Sequence, residues 1–88
     1  MIINKTHILE NICYSPLVYQ RINKKLNVSY SNQQIENLIY KLLQETKLEH
    51  FSKKGKNFYV LNLNNNIKVT INSNTFRVIT VEKLSNKF

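Results

Sequence analysis

The sequence predicts an α+β domain in which three N-terminal helices precede a four-stranded antiparallel β-meander. In the first half of the chain, apolar residues recur at the helical spacing of three and four. After Thr46 the spacing changes to two, and short Asn-rich segments typical of hairpin turns separate runs rich in β-branched residues. The 88 residues suffice for one domain, residues 1–88. It divides into a helical half (1–47), a sheet half (48–83) and a tail (84–88).

The first two helices are indicated by their starting residues and their apolar stripes. Thr6 is an N-cap candidate for a short helix whose apolar face includes Cys13, which we expect to pack in the core. Ser15 followed by Pro16 is the favoured order at a helix start, because proline lacks only an N–H that the first turn does not use. The buried stripe of this second helix is predicted to be Val18, Ile22 and Leu26.

The third helix has the most complete sequence signature. Ser31 and Gln34 have the spacing of a capping box, in which each side chain bonds the other residue's backbone N–H. A broad apolar stripe follows at helical spacing, comprising Ile35, Leu38, Ile39, Leu42 and Leu43. The opposite face is nearly neutral.

Four strands are predicted in the second half. They are Leu48–Ser52, Phe58–Leu63, Ile67–Ile71 and Phe76–Val81. The last of these runs is apolar at both alternating sets of positions. We therefore expect it to be a central strand, with helices covering one side of the sheet.

Composition excludes several functional classes. All five acids are glutamates, so magnesium sites built on paired aspartates are absent. The single cysteine excludes internal disulfides and multi-cysteine zinc sites, and the single glycine excludes a glycine-rich phosphate loop. We expect no metal and no cofactor. An unpaired cysteine is typical of the cytoplasm, and no apolar run approaches the roughly 20 residues of a membrane span.

The positive charge is concentrated in the sheet half. The net charge is +8, and residues 53–88 contribute seven bases and one acid, or +6. Lysines attract phosphate, and unstacked bases lie on aromatic rings. The predicted contacts to nucleic acid are Lys53, Lys54, Lys56, Phe58, Tyr59, Lys68 and Arg77. RNA is the favoured partner, since a shallow basic sheet suits single-stranded or structured RNA better than a duplex major groove.

A metal-independent endoribonuclease of toxin type is the alternative. His50 is its only candidate general acid or base, on a strand that we expect to pair near Phe58 and Tyr59. The supporting groups would be Lys54, Lys56, Tyr59 and Arg77. One histidine without a second positioned group is more often an ordinary surface residue. His7, at the start of the first helix, is assigned no role.

Two segments resemble a family of small uncharacterised bacterial proteins. Residues Lys54–Val60 carry its Gly-Lys-Asn-aromatic-Tyr motif, and Lys68–Thr80 carry its Thr-Ile-Asn-Ser motif with the following Ile-Thr. Residues Arg21–Leu43 are compatible with the family's helices, so the resemblance covers most of the chain. It implies no established activity. Many members have histidine where this chain has Asn74, so a catalytic histidine at that position would be missing here.

The order of helices and hairpin also resembles winged-helix domains, which implies a DNA-binding regulator. The equivalent of the recognition helix, however, has one lysine against two glutamates. The second hairpin is also not part of a minimal winged helix.

A third alternative is a phage or mobile-element inhibitor that docks on a host ribonucleoprotein, with which small size and high charge are compatible. Helices followed by a small sheet are also the plan of several ribonuclease toxins.

Overall fold

The α+β architecture is confirmed by a computed structural model that describes residues 3–84. Its helices are α1 (Lys5–Asn11), α2 (Pro16–Leu26) and α3 (Asn32–Glu45), followed by a 3₁₀ turn at Leu48–His50. Its strands are β1 (Phe51–Lys54), β2 (Asn57–Asn62), β3 (Ile67–Asn72) and β4 (Val78–Lys83). The strands form one antiparallel sheet in the order β1-β2-β3-β4. No helix among these is long and apolar enough to cross a membrane.

The start and the end of α1 differ from the prediction. Asn4 rather than Thr6 is the N-cap, and its side-chain oxygen accepts the His7 N–H at 3.0 Å. Cys13 lies beyond the helix and is exposed, so the expectation that it packs in the core is wrong. The helical spacing does not apply to Cys13 because the chain becomes extended at Ile12. Cys13 instead forms an isolated parallel bridge with Arg77, just before β4.

Helices α2 and α3 agree with the prediction. Pro16 is the first residue of α2, and Asn27 ends it in the left-handed conformation. Both halves of the capping box are formed, since Gln34 N–H donates to Ser31 Oγ at 3.2 Å and Ser31 N–H donates to Gln34 Oε1 at 2.8 Å. The two apolar stripes are buried, except that Leu38 is only half-buried.

The helices pack against one face of the sheet, which we call the inner face. Val60, Val69 and Val81 on this face are fully buried in one apolar cluster with Ile22 and Ile39 of the helices. Each such side chain contributes about 1.5–3 kcal/mol through burial. Alternation places the intervening strand residues on the opposite, outer face. The outer residues of β1, β2 and the middle of β3 are Ser52, Lys54, Asn57, Tyr59, Leu61, Lys68 and Thr70.

Strand β4 corrects the prediction for the last apolar run. It begins at Val78 and lies at the edge of the sheet rather than in its centre. A bulge between Thr70 and Ile71 shifts the register, so that Val78 and Val81, three positions apart, are both buried. Without a bulge, two strand residues three positions apart face opposite sides of the sheet. Regular alternation in this segment therefore predicts apolar residues on both faces.

The Asn62 side chain joins the end of α3 to the turn after β2. It is 3% exposed. Its Nδ2 donates to the Leu42 carbonyl at 3.2 Å and to Thr46 Oγ1 at 3.0 Å. Its Oδ1 accepts the Asn65 N–H at 2.9 Å. The Asn62 amide therefore forms hydrogen bonds both with the end of α3 and with the turn after β2.

Replacing this amide tests its structural importance. Asn62→Ala should lower the free energy of unfolding by about 2 kcal/mol, because buried partners lose their hydrogen bonds. Denaturant unfolding followed by circular dichroism measures the change. Asn64→Ala, in the same turn but exposed, should stay within about 0.5 kcal/mol of the parent. Equal losses in both variants would contradict the assignment.

Candidate nucleic-acid interface

The turns that follow β1 and β3 lie together at one end of the sheet. The Ser73 N–H and Oγ both donate to the Lys56 carbonyl, at 2.8 and 2.9 Å. Gly55 occupies the first turn with a φ of 59°, a conformation that glycine adopts without steric cost. A two-residue turn of this kind matches the twist of the flanking strands. The tip that carries Lys56 is therefore held against the second turn.

A row of residues crosses the sheet at this end, from Lys54 to Arg77. Lys54 pairs with Asn57, Asn57 pairs with Asn72, and the Asn72 N–H donates to the Arg77 carbonyl at 2.9 Å. Lys54 and Arg77 thus lie at opposite edges, with their backbones roughly 14 Å apart at normal strand spacing. We call the end of the sheet that carries Lys54 and Arg77 the basic end. Of the four strands described, only β4 contains a carboxylate, that of Glu82.

Strand alternation divides five of the seven predicted contacts between two surfaces, and the other two, Lys56 and Arg77, lie outside the strands. Lys54, Tyr59 and Lys68 lie on the outer face, whereas Lys53 pairs with Phe58 on the inner side. The structure therefore does not gather the predicted residues on a single face. The sequence order Lys53-Lys54 and Phe58-Tyr59 places neighbours on opposite sides of a strand.

The outer face holds a cation and a ring in contact. Lys68 Nζ lies 5.7 Å from the centre of the Tyr59 ring, within the range of a cation–π interaction. The same ammonium is 3.9 Å from Glu82 Oε2, a partly exposed pair of small energetic weight. Lys54, Tyr59 and Lys68 line one shallow depression of about 380 Å³, together with Ser52 and Leu61.

His50 lies away from this surface. It ends the 3₁₀ turn, and the pairing of Phe51 with Val60 places it beyond the partners of Phe58 and Tyr59. The length of β1 separates its backbone from that of Lys54 by roughly 13 Å. It lines a different depression with Thr46 and Asn62. The expectation that His50 lies on the strand is therefore wrong, because the chain forms a 3₁₀ turn before β1 begins at Phe51.

Sequence reasoning missed a cluster on the inner side of the basic end. The rings of His7 and Phe76 meet edge to face, with their centres 5.0 Å apart. Phe58 lies next to Phe76, at 6.3 Å between ring centres. His7 and Phe76 come from opposite ends of the chain, so no local sequence pattern relates them. Only a tertiary contact between α1 and the segment after β3 brings them together.

Phe76 has an unusual backbone conformation. Its φ is 60°, in the left-handed region, which Asn27 and Asn66 also occupy. Asparagine tolerates this region, whereas a bulky residue there carries strain of roughly 1–3 kcal/mol. Hydrogen bonds on both sides hold the residue, since Asn72 accepts the Phe76 N–H and Phe76 accepts the Cys13 N–H, each at 2.9 Å. In this backbone conformation, the Phe76 ring contacts His7 of α1.

The side chain of Asn72 organises the turn before Phe76. Its Oδ1 accepts the N–H groups of Asn74 and Thr75, at 2.8 and 2.9 Å. This Asx-type arrangement is a common way for asparagine to stabilise a turn. It fixes the path by which the chain reaches Phe76.

The two tyrosines with shifted pKa values are Tyr19 on α2 and Tyr14 in the segment before it. Tyr19 donates to Glu36 Oε2 at 2.7 Å, and this hydrogen bond, with burial, raises the pKa of the Tyr19 phenol to about 12. Burial raises the pKa of the stacked Tyr14 further above its ordinary value, with the Glu36 charge adding to the effect. The Tyr19–Glu36 hydrogen bond joins α2 to α3, and the Tyr14–Tyr19 stack joins α2 to the segment before it. Among residues 3–84, no three histidine, cysteine or carboxylate side chains cluster as a metal site would require.

These features define a small α+β protein with helices on one face of an antiparallel meander and a basic end of the sheet. A family described as "protein of unknown function (DUF3781)" matches residues 6–82, and the chain belongs to that family. Membership of an uncharacterised family is thereby confirmed. Comparisons with the curated proteins and with the solved structures gave no match. The resemblance to winged-helix domains stays a prediction.

The importance of the Asn72 side chain is testable. Asn72→Ala should lower the free energy of unfolding by about 1 kcal/mol, because two backbone N–H groups lose their acceptor. Amide hydrogen exchange at Asn74 and Thr75 should become faster, while exchange at Val60 should follow the global stability. Asn74→Ala is the control, since its side chain accepts neither bond. Unchanged exchange at both amides in Asn72→Ala would contradict this role.

Proposed function

We propose that the protein binds RNA through the outer face and the basic end of the sheet. The observation that carries the proposal is the Lys68 ammonium over the Tyr59 ring, in a shallow depression that Lys54 also lines. Sequence-tolerant binding of a single strand needs cations for phosphates and a ring for a base, within one nucleotide's reach of each other.

The shape of the surface favours single-stranded or looped RNA over a DNA duplex. The outer face is open and shallow, so an unpaired base can reach the Tyr59 ring. A duplex would need a projecting element that enters a groove. The exposed positions of α3, the candidate for such an element, are mostly uncharged, including Gln33, Asn37 and Gln44.

The charge distribution supports the same surface. Lys53, Lys54 and Lys56 lie at the exposed tip of the first hairpin. Glu82 lies beside Lys68, towards the other end of the sheet. Clustered charge of one sign raises the local potential and attracts polyanions over distance. The tip would capture the phosphate backbone, and Tyr59 would stack a base.

Neutralising the outer lysines tests the proposal. The triple variant Lys54→Gln, Lys56→Gln, Lys68→Gln should reduce affinity for a fluorescent single-stranded RNA. The slope of log affinity against log salt should flatten by about 2, because each lost phosphate contact removes about 0.7. Fluorescence anisotropy at several salt concentrations measures both quantities.

The matched control removes the same charge from another surface. Lys24→Gln, Lys25→Gln, Lys47→Gln changes three exposed lysines outside the basic end of the sheet. Its salt slope should remain close to that of the parent. An equal flattening in both triple variants would show binding to overall charge and overturn the assigned surface.

The winged-helix alternative predicts a different response. Gln33→Ala, Asn37→Ala, Lys41→Ala alters the exposed side of α3 and should leave nucleic-acid binding nearly intact. Loss of duplex DNA binding in this variant would favour a DNA-binding regulator. Binding to a host ribonucleoprotein but not to its isolated RNA would favour the inhibitor alternative.

The ribonuclease alternative is tested by incubation with RNA in EDTA. We expect the RNA to remain intact, because His50 is separated from the lysines of the tip by the length of β1. Denaturing electrophoresis and analysis for 2′,3′-cyclic phosphate ends measure cleavage. EDTA-resistant cleavage that disappears in His50→Ala would instead establish an enzyme that needs no metal.

A further inference from the structure

A cleft lies on the inner side of the basic end, across β1 from the proposed RNA surface. It has a volume of about 350 Å³. The groups that could contact a ligand come from α1, from the first hairpin and from the turn after β3. They are Asn4, His7, Lys53, Phe58, Asn74 and Phe76.

Two rings form the apolar wall of this cleft. Phe58 and Phe76 are tilted by 34° and have their centres 6.3 Å apart, which is already the separation of a contacting aromatic pair. A planar base would therefore lie against the pair rather than between its members. Both residues are only half-buried, so part of each ring remains accessible. The His7 ring meets Phe76 edge-on and extends the same wall.

Polar groups border the rings. Lys53 is exposed, pairs across the hairpin with Phe58 and lines the cleft with it. His7 is also exposed and offers a second nitrogen donor. The Asn74 amide can both donate and accept, as recognition of a base edge requires. The cation and the imidazole can contact a phosphate, the amide can contact the edge of a base, and the aromatic wall can contact its face.

The strained backbone of Phe76 is an independent observation at the same place. Its left-handed φ is supported by two hydrogen bonds. The Phe76 N–H donates to the Asn72 carbonyl at the end of β3, and the Phe76 carbonyl accepts the N–H of Cys13, in the segment between α1 and α2. Backbone strain in an aromatic residue that lines a cleft is typical of functional sites. Glycine or asparagine would avoid the strain but would not place a ring beside His7.

We propose that this cleft binds one nucleotide, with its base against Phe58 and Phe76 and its phosphate beside Lys53 and His7. The proposal that this nucleotide belongs to the RNA on the outer face rests on the proposed function. Strand β1 is an edge strand of four residues, with Lys53 on its inner side and Lys54 on its outer side. An RNA chain that passes around this edge would contact both lysines in succession.

The test uses adenosine 5′-monophosphate as the probe, with adenosine for comparison. In two-dimensional NMR of the whole protein, the mononucleotide should shift resonances of His7, Phe58 and Phe76. Adenosine should shift them less, because it lacks the phosphate. Lys53→Gln should weaken binding of the mononucleotide about two- to fivefold, the effect expected of one exposed charge pair. His7→Ala and Phe58→Leu should also weaken it.

Two control variants separate the cleft from general effects. Lys47→Gln and His50→Ala remove the same residue types outside the cleft and should leave affinity for the mononucleotide unchanged. Shifts confined to the outer face, or absent altogether, would overturn the cleft assignment. Cleft variants that bind both the mononucleotide and RNA as the parent does would also overturn it, while leaving the proposed function intact.

The two proposals can fail separately. Shifts of His7 by the mononucleotide in a protein that binds no RNA would support the cleft as a nucleotide site and overturn the proposed function. The outer triple variant should lose RNA affinity but keep these shifts. Reduced RNA affinity in Lys53→Gln and Phe58→Leu, with unchanged affinity in Lys47→Gln, would support a single RNA path around β1.

Discussion

The burial of one face of the sheet against the helices is the constraint on which the rest of the structure depends. Val60, Val69 and Val81 are all excluded from water on this face. Because strand side chains alternate, a slip of one residue would expose all of them, so the register is strongly specified. The buried Asn62 amide reinforces it, since its partners on α3 and in the next turn require one position of β2. Every outward-facing group follows from this register.

The same constraint gives the two sides of β1 different chemistry. On the outer side, the half-buried Tyr59 contacts the Lys68 ammonium in a depression that Lys54 also lines. On the inner side, Phe76 contacts both Phe58 and His7 in a cleft that residues of α1 help to line. Both sides are reached over one short edge strand with adjacent lysines. The basic hairpin thus lies between the two proposed sites, one for a passing RNA strand and one for a single nucleotide.

Local patterns predicted the helices well and the sheet less well. The capping box of Ser31 and Gln34 and the Pro16 start of α2 involve neighbours in sequence, so their energetics act before tertiary packing does. Strand β4 was misplaced because a bulge in its pairing with β3 depends on a partner that sequence periodicity does not include. Cys13 was misplaced for a related reason, since its extended conformation is stabilised by hydrogen bonds to Phe76 and Val78.

The sequence by itself determined the α+β class, the helical order and the concentration of lysines at the first hairpin, because these depend on local periodicity and charge. It also contained the adjacent residues Lys53 and Lys54, which strand alternation places on opposite sides of β1. Only the tertiary structure decided that His50 lies away from these lysines and that His7 lies beside Phe76. Those positions depend on where a helix docks and how a strand pairs, and the contacts that decide them join residues far apart in the chain.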